Sequence, residues 1–216
     1  MKLVTFFLCL CFILPGSAAV IYRATDIRLG SAIGGPYGAA TREIDVDGDA
    51  VIDWAIDFRF IGLNRFIFIT DEGNNRYLFR PRNITGGTEP APLDQNFLID
   101  GHPEGTDLQL LLLSEATNPI FVRTSINDGG VFDPGSFHEI TAFLGFEFEK
   151  LGDTHYGYAE VTGINGDGLI ISGLAWESEP GVGIRAGAIP EPSAVLLLGF
   201  SMLNVFLRRG RRRVGL

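Results

Sequence analysis

The chain has 216 residues, two cysteines and a formal charge of −9 from 17 basic and 26 acidic side chains. That acidic balance argues against nucleic acid as a partner. Aromatic residues make up 11% of the chain, too many for a disordered sequence, so its 28 glycines are assigned to turns.

The N-terminus reads as a signal peptide over residues 1–19. Met1-Lys2 is a small positive start, Leu3 to Leu14 an apolar run, and Pro15-Gly16-Ser17-Ala18-Ala19 supplies the small residues that a signal peptidase reads. Cleavage after Ala19 is predicted. Cys9 and Cys11 both fall in the removed segment, and each follows a leucine where a lipoprotein box would have Gly or Ala. The mature chain then has no cysteine and no disulfide, although it reaches a compartment that permits them. Residues 20–188, about 170 in all, are one domain's worth. Without Lys2 and the five C-terminal arginines the basic count falls to 11, and without Glu191 the acidic count falls to 25, leaving about −14. This charge disfavours an anionic membrane surface and suits an extracytoplasmic protein that holds divalent cations.

The first local motif is Asp45-Val46-Asp47-Gly48-Asp49-Ala50-Val51-Ile52-Asp53. It places carboxylates at positions 1, 3, 5 and 9 of a tight loop that runs into an apolar segment. Four carboxylates so close repel one another unless a hard cation sits between them, and calcium takes six to eight oxygens in irregular loops. The spacing resembles the Asp-x-Asp-x-Asp-Gly-x-x-Asp calcium loops of FG-GAP and thrombospondin-type repeats. By that resemblance Asp45, Asp47, Asp49 and Asp53 would supply side-chain oxygens and the Val51 carbonyl a fifth ligand. The departure is at position 6, where those families have Gly and this chain has Ala50. The other reading is a solvated Asp-Gly turn before a strand. A bound calcium would be structural, since no nucleophile or base adjoins the motif.

The remainder of the domain reads as β. Ile52, Trp54, Ile56, Phe58 and Phe60 alternate with Asp53, Ala55, Asp57 and Arg59, the period of a strand with one buried face. Further strands are predicted at Arg65–Thr70, Arg76–Phe79, Leu108–Leu113, Ile120–Thr124, Ile140–Phe148, Tyr156–Val161 and Leu169–Trp176. Gly73-Asn74-Asn75, Gly86-Gly87, Asn127-Asp128-Gly129-Gly130 and Asn165-Gly166-Asp167-Gly168 are turn signals between them. No stretch outside the two terminal segments sustains a helical period over three turns. The expected fold is all-β, an antiparallel β-sandwich or jelly roll.

The stretch from Gly152-Asp153-Thr154-His155-Tyr156-Gly157-Tyr158 through Ala175-Trp176-Glu177 to Ile184-Arg185-Ala186-Gly187 resembles the closing strands of many exported proteins that carry a C-terminal sorting tail. The resemblance implies a shared β-sandwich module with no assigned activity. Tyr156, Tyr158 and Trp176 read either as core or as a carbohydrate-stacking platform.

The tail itself spans residues 189–216. Pro190-Glu191-Pro192 forms a stiff extended spacer. An apolar segment, Ala194 to Leu207, follows, and then Arg208, Arg209, Arg211, Arg212 and Arg213, which favour the cytoplasmic side. Fourteen residues span about 21 Å as a helix, short against a hydrocarbon core of about 30 Å and suited to a transient signal. These three parts resemble the PEP-CTERM sorting signal of exported bacterial proteins, which also carries the label ice-binding protein C-terminal domain. The resemblance implies an exosortase-type processing enzyme as partner, an inner-membrane precursor, and a final place in the envelope or outside the cell near exopolysaccharide.

Enzyme signatures are sparse. His102, His138 and His155 are scattered, and no Gly-x-Ser-x-Gly or Gly-Lys-Ser/Thr loop occurs. Glu147 with Glu149, and Glu177 with Glu179, read as exposed acidic faces, not as glycosidase pairs. The sequence therefore points to a non-enzymatic structural or adhesive protein. A calcium-dependent carbohydrate-binding module is the alternative and a cryptic glycan-acting enzyme the third reading.

Overall fold

The computed structural model describes residues 18–30, 40–61, 64–71, 75–81, 88–102, 107–112, 120–125, 137, 139–164 and 168–190. They form strands β1 (Val20–Leu29), β2 (Ala40–Ile44), β3 (Trp54–Ile61), β4 (Asn64–Asp71), β5 (Arg76–Pro81), β6 (Thr88–Pro90) and β7 (Leu98–Ile99). After these come β8 (Gln109–Leu112), β9 (Ile120–Ser125), β10 (Thr141–Lys150), β11 (Asp153–Ile164), β12 (Gly168–Glu177) and β13 (Ile184–Arg185). No helix occurs among the described residues, so none there is long and apolar enough to cross a membrane. Residues 1–17, and 191–216 with Glu191, Pro192, the 194–207 segment and Arg208, Arg209, Arg211, Arg212 and Arg213, lie outside the described residues.

The all-β, antiparallel expectation holds. The large sheet runs β1-β12-β11-β10-β5-β6, with β8 on the other edge of β5. A four-stranded sheet, β2-β3-β4-β9, packs against one of its faces, and the short pair β13-β7 belongs to a cover on the other. Sequence periodicity finds β3, β4, β5, β8, β9, β10, β11 and β12. It misses the ten-residue β1, an edge strand whose apolar side chains are interrupted by Arg23, Asp26 and Arg28, and it misses the short β2, β6, β7 and β13, which have little or no period to detect.

The middle of the large sheet is buried on both faces, where successive residues of β11 (155–159) and β12 (173–177) are all buried. The main core lies between the sheets and is built from Trp54, Ile56 and Phe58 of β3, Phe146 and Phe148 of β10, and Leu174 and Trp176 of β12. Trp54 sits at its centre, 5.9 Å from both the Tyr77 and Phe146 rings. A second core on the opposite face gathers Leu78, Leu93, Ile99, Tyr156, Tyr158, Ala175 and Ile184. A β-bulge lets β12 serve both. Glu160 pairs with Gly173 and Val161 with Ile171, so Ser172 is the extra residue. The bulge inverts the in–out parity, and Leu169, Ile171, Leu174 and Trp176 consequently all point into the main core.

Close backbone approach fixes one glycine. A Cβ at Gly157 would lie 2.5 Å from the Phe146 ring and 2.7 Å from the Ala175 carbonyl oxygen, and neither can yield without moving a central strand. The β10–β11 hairpin closes on Leu151 (φ 55°) and Gly152 (φ 88°), the paired positive φ of a type I′ turn. This turn sets Lys150 at the end of the sandwich.

Candidate metal centre

The acidic loop joins β2 to β3 and is pinned at its base. Ile44 and Val46 are fully buried in the main core, and the Asp53 N–H donates to the Ile44 carbonyl at 2.9 Å. Arg23 of β1 donates to the Asp45 carbonyl, and the Asn75 amide donates to that of Asp53. Ile52 and Asp53, expected to open the strand, instead close the loop, since β3 starts at Trp54.

Within the loop the carboxylates organise the backbone. Asp45 accepts the N–H groups of Gly48 (2.7 Å) and Ala50 (3.0 Å), Asp47 that of Asp49 (3.1 Å) and Asp49 that of Val51 (2.7 Å). These turns require positive φ at two positions, Gly48 at 83° and Ala50 at 69°. Ala50 therefore adopts the conformation that Gly holds at position 6 of the calcium loops it resembles, at a cost of about 1–2 kcal/mol.

One oxygen from each of Asp45, Asp47 and Asp49 lies within 4.8 Å of the others, so these three residues can hold a metal ion. Asp53 is not one of the converging three. It is 7% exposed, and its Oδ2 accepts the Val46 N–H at 2.6 Å. Burial, followed by the charges of Asp47, Asp45 and Asp49, pushes its carboxyl up to about 6 against the hydrogen bond from Val46.

Lys150 completes the cluster. Its Nζ lies 3.0 Å from Oδ2 of Asp47, whose side chain is 2% exposed. Burial acts to raise the Asp47 carboxyl, but the Lys150 ammonium and the Asp49 N–H outweigh it and hold the group below its ordinary range. The same ammonium lies 5.9 Å from the Trp176 ring centroid. Sequence reasoning did not connect Lys150 to the loop, although it is the one lysine in residues 20–188. Each carboxylate oxygen has more than one acceptor direction, so a cation can join these hydrogen bonds. Lys150, part exposed, must turn aside from Asp47 for it to do so.

Other candidates are relocated. Tyr156 (8% exposed), Tyr158 (1%) and Trp176 (4%) are all interior and belong to cores on opposite faces of the large sheet, so they form no stacking platform. The Tyr158 hydroxyl is pushed up to about 12 by burial, then by Tyr22 and Glu160. The expected exposed acidic faces hold for Glu149 and Glu179 only. Glu147 is half-buried beside Arg76 at 3.6 Å, and Glu177 is buried, because the cover over the second core reaches these two positions and stops short of their neighbours. His155 is buried against Phe148, with Nδ1 at 2.8 Å from the Glu177 carbonyl oxygen. Pro190 is exposed.

The raised Asp53 carboxyl sets a pH dependence. Its folded value lies above its ordinary 3.8, so the stability it contributes is present below about pH 4 and is lost as pH rises through about 6. Without divalent cation the unfolding midpoint should fall between pH 5 and pH 7. Asp53→Asn, whose amide oxygen can still accept from Val46, should flatten that slope and raise the midpoint at pH 7; an unchanged slope would contradict the assignment.

No protein-family model, no curated protein and no solved structure matches this chain.

Proposed function

We propose that this chain is an exported, non-enzymatic β-sandwich protein, sorted at the inner membrane by an exosortase-type enzyme. It is then held in the envelope or extracellular matrix in a structural or adhesive role beside exopolysaccharide. The observation that carries this reading is the way the chain leaves the fold. Ile184 and Ala186 are buried in the second core, and the Tyr158 hydroxyl donates to the Ala188 carbonyl at 2.5 Å. Ile189 is then 71% exposed and Pro190 exposed. Among the described residues the last buried positions thus precede the predicted sorting segment, and a motif read by a membrane enzyme has to stand clear of the domain that carries it.

In this reading the Asp45–Asp47–Asp49 cluster holds calcium as a fastener. Its donors are all oxygens and its backbone is irregular, the combination that suits calcium. The carbohydrate-binding alternative relied on aromatic side chains that are interior.

Expression of the full chain in hosts with and without an exosortase tests the reading, with fractionation and intact mass as readouts. With the enzyme, the product should begin at Val20, lack the C-terminal segment and leave the membrane fraction. A Glu191→Ala chain, or a host without the enzyme, should retain the tail in the membrane. Release independent of both would refute the sorting role.

A further inference from the structure

Glu177 is a buried carboxylate with no cation beside it among the described residues. It ends β12 at 5% exposure, and its Oε1 accepts two long hydrogen bonds of 3.3 Å, from the Ser178 hydroxyl and the Glu179 N–H. No ion pair to it exists among the described residues. Across the same face of the sheet the register runs from Arg76 of β5 to Glu147 of β10 and Tyr156 of β11. One more step of the β11–β12 register reaches Glu177, and the β1–β12 register then reaches Val20. At one end of this row Arg76 serves Glu147. At the other end, Glu177 lies between Tyr156 and Val20, neither of which brings a side-chain cation.

The strand start places that backbone close by. Ser178 N–H donates to the Ala19 carbonyl at 3.0 Å, and Ala19 N–H donates to the Ser178 hydroxyl at 3.0 Å. With position 19/178 hydrogen-bonded, 20/177 is the closely spaced pair, where opposed Cα atoms of an antiparallel ladder lie about 4.5 Å apart.

We infer that hydrolysis of the Ala19–Val20 bond completes this site: the new α-ammonium of Val20 seats against the Glu177 carboxylate, beside the Ser178 hydroxyl released by Ala19. The inference rests on the export reading, which places the cleavage there. The step balances with water alone, giving an Ala19 carboxylate on the departing peptide and an ammonium on Val20. An ammonium supplies three donors to a buried carboxylate that has only long neutral ones, and charge-assisted hydrogen bonds are about twice as strong as neutral ones. Removal of the leader then exchanges the two Ala19–Ser178 hydrogen bonds for a charged contact at the start of the first strand.

The other groups around Glu177 leave this role open. His155 of β11 engages its carbonyl and not its carboxylate, and Tyr156 of β11 and Glu179 of the following turn are not cations at neutral pH. Arg76 is held by Glu147, and Arg23 of β1 is held by the Asp45 carbonyl.

The test uses the chain from Val20 onward, tail retained, released from a removable N-terminal fusion, and its Nα-acetylated form. A free α-amino group titrates at about 7.7–8.0. Pairing with Glu177 should raise it by about one unit, a tenfold change, read by NMR of isotopically labelled Val20, and Glu177→Gln should return it to the ordinary range. The ammonium's stabilisation is complete below its unfolded value and is lost as pH rises through the raised one. The free-amine chain should therefore exceed the acetylated chain in midpoint at pH 7 and converge with it near pH 10. Should Glu177→Gln fail to fold, the acetylated chain, with every side chain intact, decides alone. An α-amino group that titrates in its ordinary range, with no effect of acetylation, overturns the pairing. An exported product beginning elsewhere than Val20 overturns the premise instead, and intact mass separates the two failures.

Discussion

Trp54→Ala should lower unfolding stability by about 3–5 kcal/mol, the range for removing a large aromatic from a close-packed core. Trp54 is 1% exposed and contacts rings from two other strands, Tyr77 at 5.9 Å and Phe146 at 5.9 Å. It opens β3 immediately after the acidic loop, so the cavity also frees the anchor of Asp53. Trp54→Phe should cost far less, because the indole Nε1 is buried without a hydrogen-bond partner and its removal strands no acceptor. Chemical denaturation of the three chains checks the ordering. Equal losses for Ala and Phe would mean that the ring's packing is not what the site requires.

The second large effect lies at the other end of the domain. A chain ending after Ala188 should keep the stability of the longer chain, whereas one ending after Gly183 should lose more than about 3 kcal/mol. The five residues between them carry Ile184 (2% exposed) and Ala186 (0%), the β13–β7 pairing, and hydrogen bonds from Ala186 N–H to the Phe97 carbonyl and from Asn96 N–H to the Ala186 carbonyl. Losing one buried Ile side chain costs about 2–5 kcal/mol, and each hydrogen bond adds about 0.5–1.5 kcal/mol. Equal midpoints for the two truncations would place the end of the fold before residue 184 and detach it from the predicted sorting boundary.

How much of this was legible depends on how local each signal is. β3 shows its alternation because one of its faces is lined by large apolar side chains, and the acidic loop shows itself because all its carboxylates fall within nine residues. The bulge at Ser172 leaves no trace in composition, yet it decides that Leu174 and Trp176 join the core of Leu169 and Ile171. A strict period of two would have assigned those pairs to opposite faces. The polarity of Glu147 and Glu177 suggested exposure, and burial came from a cover contributed by residues 91–99, far from both in sequence, together with 184–188. Lys150 reaches Asp47 only because the β10–β11 turn and the β2–β3 loop meet at one end of the sandwich. Ala50 departs from the glycine of the motif it resembles, and the backbone adopts the glycine conformation regardless.

Asp45, Asp47 and Asp49 converge closely enough to hold a cation, and the proposed function makes that cation structural. Thermal unfolding of the processed chain in millimolar calcium, and again in excess chelator, tests it most directly. A ligand that binds only the folded state stabilises it by about 4 kcal/mol at a thousandfold excess over its dissociation constant. The midpoint should rise with calcium, fall with chelator and cease to respond in the Asp47→Ala/Asp49→Ala chain. Superimposable curves with calcium and with chelator would contradict it and leave the loop as a hydrogen-bonded turn held to β10 by Lys150.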